Sequence, residues 1–397
     1  MALGWFGIRR VIWGCPCPLF GLLVLGLMGM GRVAVVESLN LSSSSTSKFS
    51  SCEFPAIYNF GDSNSDTGAR SAAFDAIPPP NGETFFGKPS GRSCDGRLII
   101  DFIAEELGLP YLSAYLDSIG TSFRKGANFA AGGASIRQGG YSPFHLDIQI
   151  SQFQQFKARS LQQLAGKSAA CKNNLPRPED FSKALYTFDI GQNDLSYGFQ
   201  HTSEDQVRAS VPDILDQFSS AIQRLYEEGA RTFWVHNTGP VGCLPYAVIY
   251  YPNKDGSHLD QNGCVRTQNE VAQDFNRQLL DRITLLRTQF PLAVFTYVDV
   301  YYAKYDLITN AMNQGFVDPL KFCCGSYYGY HVDCGKKAVI NGTVYGNACE
   351  NPSSYVSWDG IHYSQEANRR VAIRIFNGSL SHPPIPITKA CHASSSS

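Results

Sequence analysis

A serine, an aspartate and a histidine, set in two short strings at opposite ends of the chain, have the types and spacing that do chemistry. Phe60-Gly61-Asp62-Ser63-Asn64-Ser65-Asp66-Thr67-Gly68 continues the apolar run Ala56-Ile57-Tyr58-Asn59-Phe60, which reads as a buried strand. Asp359-Gly360-Ile361-His362 follows roughly three hundred residues later. A serine hydroxyl is a weak nucleophile until a base takes its proton. An aspartate that orients the base completes a Ser-His-Asp triad. Two further strings lie between, Gly126-Ala127-Asn128-Phe129-Ala130-Ala131-Gly132-Gly133-Ala134-Ser135 and Asp189-Ile190-Gly191-Gln192-Asn193-Asp194. Each joins glycine and an amide side chain to a strand-like stretch. A developing oxyanion needs those groups, namely backbone N–H donors that approach closely and a side-chain amide.

Taken singly, each string has a plainer reading: Gly-Asp-Ser favours turns, and Asp-x-x-His serves as a surface or capping pair. As a set of four in this order they resemble the GDSL esterase/lipase family, the SGNH hydrolases, and its secreted plant branch in particular. The resemblance runs from about Cys52 to the helix ending near Phe376. It implies Ser63 as nucleophile, Asp359 and His362 as its partners, and an oxyanion hole made by the N–H of Ser63, the N–H of Gly133 (beside Gly132) and the Asn193 side chain. Asn64 stands where the family name expects leucine, at a position with no part in the chemistry. Pro78 to Gly87 resembles the early-nodulin-like members, some of which are described as fucosidases or acetyl esterases. The resemblance also implies a three-layer α/β/α fold with a mostly parallel, flavodoxin-like sheet of five strands.

The elements that must position these residues can be read independently of the resemblance. Residues 56–60, 128–131, 184–190, 232–236 and 293–298 are strand-like, and 97–107, 146–160, 203–228, 264–289 and 364–376 are helix-like. Leu215, Phe218, Ile222 and Leu225 keep a helical period, and Ser203 with Gln206 fits a capping box. Alternating strands and helices argue for a mostly parallel α/β sheet covered on both faces. In such sheets ligands bind beyond the carboxyl ends of the strands, and Ser63, Gly133 and Asn193 all follow predicted strands.

The compartment is written at the N-terminus. Arg9 and Arg10 precede the apolar stretch Leu19 to Met30, as in a secretory signal. Residues 1–36 are therefore expected to be a signal peptide cleaved near 33–38. The uncharged run from Val11 to Gly31 approaches the length of an anchor, but Pro16 and Pro18 interrupt it. Residues 37–51 read as a serine-rich flexible segment, 52–380 as one hydrolase domain and 381–397 as a flexible tail. The product is expected outside the cell, in the apoplast or wall. Of twelve cysteines, ten remain after cleavage and allow up to five disulfides, with Cys243–Cys264 a plausible local pair. Cys323, Cys324, Cys334 and Cys349 crowd the approach to Asp359. Zinc is the competing reading of that cluster, but no C-x-x-C pairing supports it. Sequons at Asn40, Asn341 and Asn377 fit a secreted glycoprotein.

The net charge of −1 and the lack of a basic run argue against a nucleic-acid partner. No cofactor or metal is expected, and no stable membrane partner once the signal is cleaved. His236 lies in an apolar strand and reads as a packed or supporting residue. Asp66 reads as turn and helix-start chemistry, and Asp194 as a local brace for Asn193. The leading function is hydrolysis of acyl or acetyl esters of small-molecule, carbohydrate or lipid type. A glycosidase usually needs two facing carboxylates, and none pair beside Ser63. Acyl transfer would use the same triad, and a non-catalytic binding or storage protein is at odds with an intact residue set.

Overall fold

Four short runs rich in β-branched and aromatic residues, with one run of small residues, Gly126-Ala127-Asn128, build the centre of the molecule. The computed structural model describes residues 50–166, 173–252 and 256–392. Strands β1 (Ile57–Gly61), β2 (Gly126–Asn128), β3 (Leu185–Asp189), β4 (Thr232–His236) and β5 (Val294–Val298) pair in parallel in the order β2-β1-β3-β4-β5. A hairpin of β6 (Ala338–Ile340) and β7 (Thr343–Tyr345) stands apart, and β8 (Ser381–His382) pairs antiparallel with the outer edge of β5. The expected five-stranded flavodoxin-like order is present, with β8 as a sixth strand.

Side chains alternate across each strand, as the pleat requires. Tyr58, Phe60, Tyr186, Phe188 and Phe233 enter one core with the helices Leu146–Ala165, Glu204–Glu227 and Arg266–Gln289. Ile57, Leu185, Trp234 and Val298 enter the other with Ile99–Glu106, Val300–Thr309 and Gln365–Phe376. Phe60 stacks between Phe129 and Phe188, with ring centroids 5.3 and 5.2 Å away. Burying each such ring contributes about 1.5–3 kcal/mol. The rigid stack ends one residue before the Gly61-Asp62-Ser63 turn. The Ser203–Gln206 capping box forms as expected.

Three parts of the sequence reading differ from the structure, the first being the strand expected over 128–131, which lies at Gly126–Asn128. Residues 381–392 are not free: β8 extends the sheet and Cys391 is disulfide-bonded to Cys52, which ties the two ends of the described chain together. A period-based reading misses this because two strand residues carry no period and pairing partners are not encoded by spacing. The helices Gln192–His201 and Val300–Thr309 also escape it, the first because it is largely polar and the second because it is apolar on several sides. The signal peptide, most of the serine-rich segment, Asn40 and Cys171 lie outside the described residues. Among the described residues, no helix is long and apolar enough to cross a membrane.

Candidate active site

The turn after β1 carries Ser63, and three contacts fix that strand end. Gln149 clamps Gly61 with a two-point amide: it accepts from the Gly61 N–H at 2.9 Å and donates to the Gly61 carbonyl at 2.8 Å. The Asp62 N–H donates to the Asp189 carbonyl at 3.1 Å. A Cβ on Gly61 would stand 2.6 Å from that same carbonyl oxygen, so the turn tolerates no side chain there.

Across the cleft, Ser63 Oγ lies 2.7 Å from His362 Nε2, and His362 Nδ1 lies 2.6 Å from Asp359 Oδ2. The carboxylate assigns the imidazole proton to Nδ1, which leaves Nε2 to accept from the serine hydroxyl. Asp359 Oδ1 accepts from the N–H groups of Ile361 and His362 at 3.0 and 2.7 Å, so the loop closes on its own carboxylate. Burial pushes the Asp359 carboxyl up, but the charge and hydrogen bonds of His362 hold it below the ordinary carboxylate range. Burial likewise pulls the His362 imidazolium down. The charge and hydrogen bond of Asp359, joined by the charge of Asp62, outweigh this and leave it above the ordinary 6.5.

This loop is held by disulfides. Cys323 pairs with Cys349 and Cys324 with Cys334, so these four thiols are consumed and the zinc reading of the cluster is replaced. The N–H groups of Cys323 and Cys324 donate to the Trp358 carbonyl at 2.9 and 2.7 Å, one residue before Asp359. Trp358 is buried and donates its indole N–H to Asn81 at 2.8 Å. Cys243–Cys264 is the local pair expected, and Cys94 is a free buried thiol.

Gly132, Gly133 and Asn193 line the same cleft of about 620 Å³ as Ser63 and His362. The Gly132 N–H is already donated to Asp66 Oδ2 at 2.8 Å. Gly133 has a left-handed φ of 77°, and its N–H has no acceptor among the described residues. Asn193 donates one amide hydrogen to the Ala134 carbonyl at 2.8 Å, which fixes the amide and leaves its second hydrogen available. Asp194 braces this arrangement at long range instead of locally, accepting from the N–H groups of Ile136 and Arg137 at 2.8 and 3.0 Å. Asp66 starts the short helix Ala69–Ala73 by accepting from Gly68, Ala69 and Arg70, and through Gly132 also anchors the glycine loop.

Behind Ser63 lies a charge cluster that sequence reading misses. Asp62 is fully buried; its Oδ1 accepts from the Asn64 N–H and side-chain amide, and its Oδ2 has no partner among the described residues. Burial and the nearby Asp189 charge push Asp62 up to about 7. Asp189 faces His236 at 3.2 Å, and His236 accepts from the Trp234 indole at 3.1 Å, a supporting role of the kind expected for that histidine. Burial raises Asp189, but the hydrogen bond and charge of His236 outweigh it and leave the carboxyl lowered. Lys304 is buried beside these acids, and burial lowers its pKa against their pull. Its only sequence signal is one lysine in an apolar helical stretch. The outer cleft wall, from Tyr141, Tyr246, Tyr250 and Tyr327, is drawn from three distant segments and leaves no motif.

Asn341 sits in the turn between β6 and β7, and Asn377 ends the last helix. Both are exposed. Comparison with known proteins gives a consistent picture. The family described as GDSL-like Lipase/Acylhydrolase matches residues 57–375. A GDSL esterase/lipase of Arabidopsis thaliana is 56% identical over 351 residues, covering 86% of this chain and 90% of that protein. The GDSL esterase/lipase ENOD8 of Medicago truncatula is 45% identical over 354 residues, covering 86% and 91%. A protein named Alpha-L-fucosidase 3, also of Arabidopsis thaliana, is 49% identical over 354 residues, covering 86% and 92%.

Proposed function

The chain belongs to the GDSL-like lipase/acylhydrolase family and is a carboxylic ester hydrolase, and we propose that it works through a Ser63-His362-Asp359 triad in a secreted glycoprotein. Ser63 Oγ attacks the ester carbonyl while His362 Nε2 takes its proton. The same nitrogen then returns a proton to the departing alcohol, and a water repeats the cycle on the acyl-enzyme. Asp359 holds the Nδ1 tautomer and stabilises the imidazolium. The oxyanion is received by the N–H groups of Ser63 and Gly133 and by Asn193 Nδ2. One such donor is worth about 2.7–4 kcal/mol of transition-state stabilisation. The observation that carries this reading is the unbroken chain Ser63 Oγ, His362 Nε2, His362 Nδ1, Asp359 Oδ2, at 2.7 and 2.6 Å, opening onto free donors.

Secretion is supported by the N-terminal signal pattern and by four disulfides among the described residues. Asn341 and Asn377 are exposed sequons suited to glycan attachment. A glycosidase finds less support: Asp62 is buried and Asp359 serves His362, so among the described residues no pair of carboxylates faces the cleft. The test is a set of p-nitrophenyl esters of graded acyl length beside a p-nitrophenyl fucoside, with the parent and Ser63→Ala. Ester turnover by the parent alone is expected. Fucoside cleavage that survives Ser63→Ala would refute the reading.

A further inference from the structure

We infer that Arg70 forms an anion subsite beside the oxyanion hole, selecting esters that carry a carboxylate a few bonds from the scissile carbonyl. The inference rests on Ser63 as the reacting centre. Arg70 lines the cleft together with Ser63, Gly132 and Gly133, and among the described residues it is the only arginine or lysine that does so. A Cβ on Gly132 would stand 2.8 Å from Arg70 Cδ, so the arginine stem lies against the glycine loop. Its backbone is equally fixed: the Arg70 N–H donates to Asp66 Oδ2 at 3.0 Å, the oxygen that also receives Gly132.

Among the described residues the guanidinium has no hydrogen-bond or ion-pair partner. That is unusual for this chain, whose arginines mostly face carboxylates, as in Arg92–Asp101, Arg97–Glu105 and Arg369–Glu366. Asp66 cannot serve, because both its oxygens are held by backbone N–H groups. Asp333, which also lines the cleft, is already paired with His331 and Lys336. The site thus presents a planar fork of donors next to where the ester reacts, and a carboxylate is its bidentate complement. The charge of Arg70 also opposes the imidazolium of His362. A substrate carboxylate on the guanidinium would relieve that opposition at the step in which His362 carries the proton.

The test compares two matched pairs of esters. One pair carries the charge on the acyl side, p-nitrophenyl hydrogen adipate against its methyl ester. The other carries it on the alcohol side, 3-acetoxybenzoate against methyl 3-acetoxybenzoate. The readout is the ratio of kcat/KM for the anionic over the neutral member. In at least one pair, Arg70→Met should lower that ratio by roughly 10- to 100-fold, the worth of a hydrogen bond to a charged group, and Arg70→Lys should restore part of it. Ratios that stay within about twofold in both pairs would overturn the subsite. Calorimetric binding of the same esters to Ser63→Ala reads the subsite without turnover. Tighter binding of the anionic member, lost in Ser63→Ala/Arg70→Met, supports Arg70 even if Ser63 proves not to be the nucleophile. Equal binding of both members refutes it.

Discussion

The two halves of the proposed catalytic cleft are built by different means. Ser63 and Gly133 hang from the loops just beyond parallel strands and Asn193 from the first turn of the helix that follows β3, and the strands beneath are fully buried. Asp359 and His362 sit on a loop with no strand of the main sheet under it. Two disulfides and the Trp358 carbonyl do there what the sheet does opposite. The nucleophile half derives its precision from the global fold. The base half derives it from local covalent stitching, so the two should fail in different ways.

The largest expected effect belongs to Ser63, the proposed nucleophile. Ser63→Ala should lower kcat on a p-nitrophenyl ester by on the order of a millionfold with an unchanged melting temperature, since the side chain supports nothing else in the fold. Asp359→Asn should cost about 10⁴-fold in kcat through the wrong imidazole tautomer. It should also move the acid limb of the kcat/KM profile. His362 must be neutral to act, and Asp359 raises it above 6.5, so parent activity is lost as pH falls through a value above 6.5. In the variant that support is gone and the limb should shift to lower pH. A limb that stays in place would mean that another group sets it. Asn193→Ala should reduce kcat by about 10²–10³-fold with little change in KM, the mark of a donor used only in the transition state.

The smallest catalytic effect, and the one that most sharpens the contrast, is removal of Cys323–Cys349 as the double serine variant. Loss of a disulfide costs about 2–4 kcal/mol, and loosened geometry costs at most on the order of 10²-fold in rate. On heating, activity in this variant should fall at a lower temperature than the far-ultraviolet signal of the sheet. Coincident losses would show that the base loop and the sheet melt as one unit.

The placement of Ser63, Gly133 and Asn193 in one cleft was legible in the sequence because a buried strand followed by Gly-Asp-Ser, and glycines beside an amide, are local patterns. Strand-to-helix alternation then placed their loops at one edge of the sheet. Asp359 and His362 were legible as a pair, but the means of holding them was not, because cysteine spacing leaves connectivity open. Lys304 and Arg70 were silent for opposite reasons. Lys304 is a charge hidden among apolar neighbours, and its partners come from β3 and the β1 turn. Arg70 looks like any exposed arginine until the glycine loop is folded against it. Residues 381–392 were misread because Cys52, the disulfide partner of Cys391, lies 339 residues away.

Labelling with diisopropyl fluorophosphate, followed by peptide mass mapping, tests the central claim most directly. A single adduct on Ser63, formed in step with loss of esterase activity and strongly slowed in His362→Ala, is the predicted result. Inactivation with the adduct on a different residue, or full labelling of Ser63 with activity retained, would contradict it.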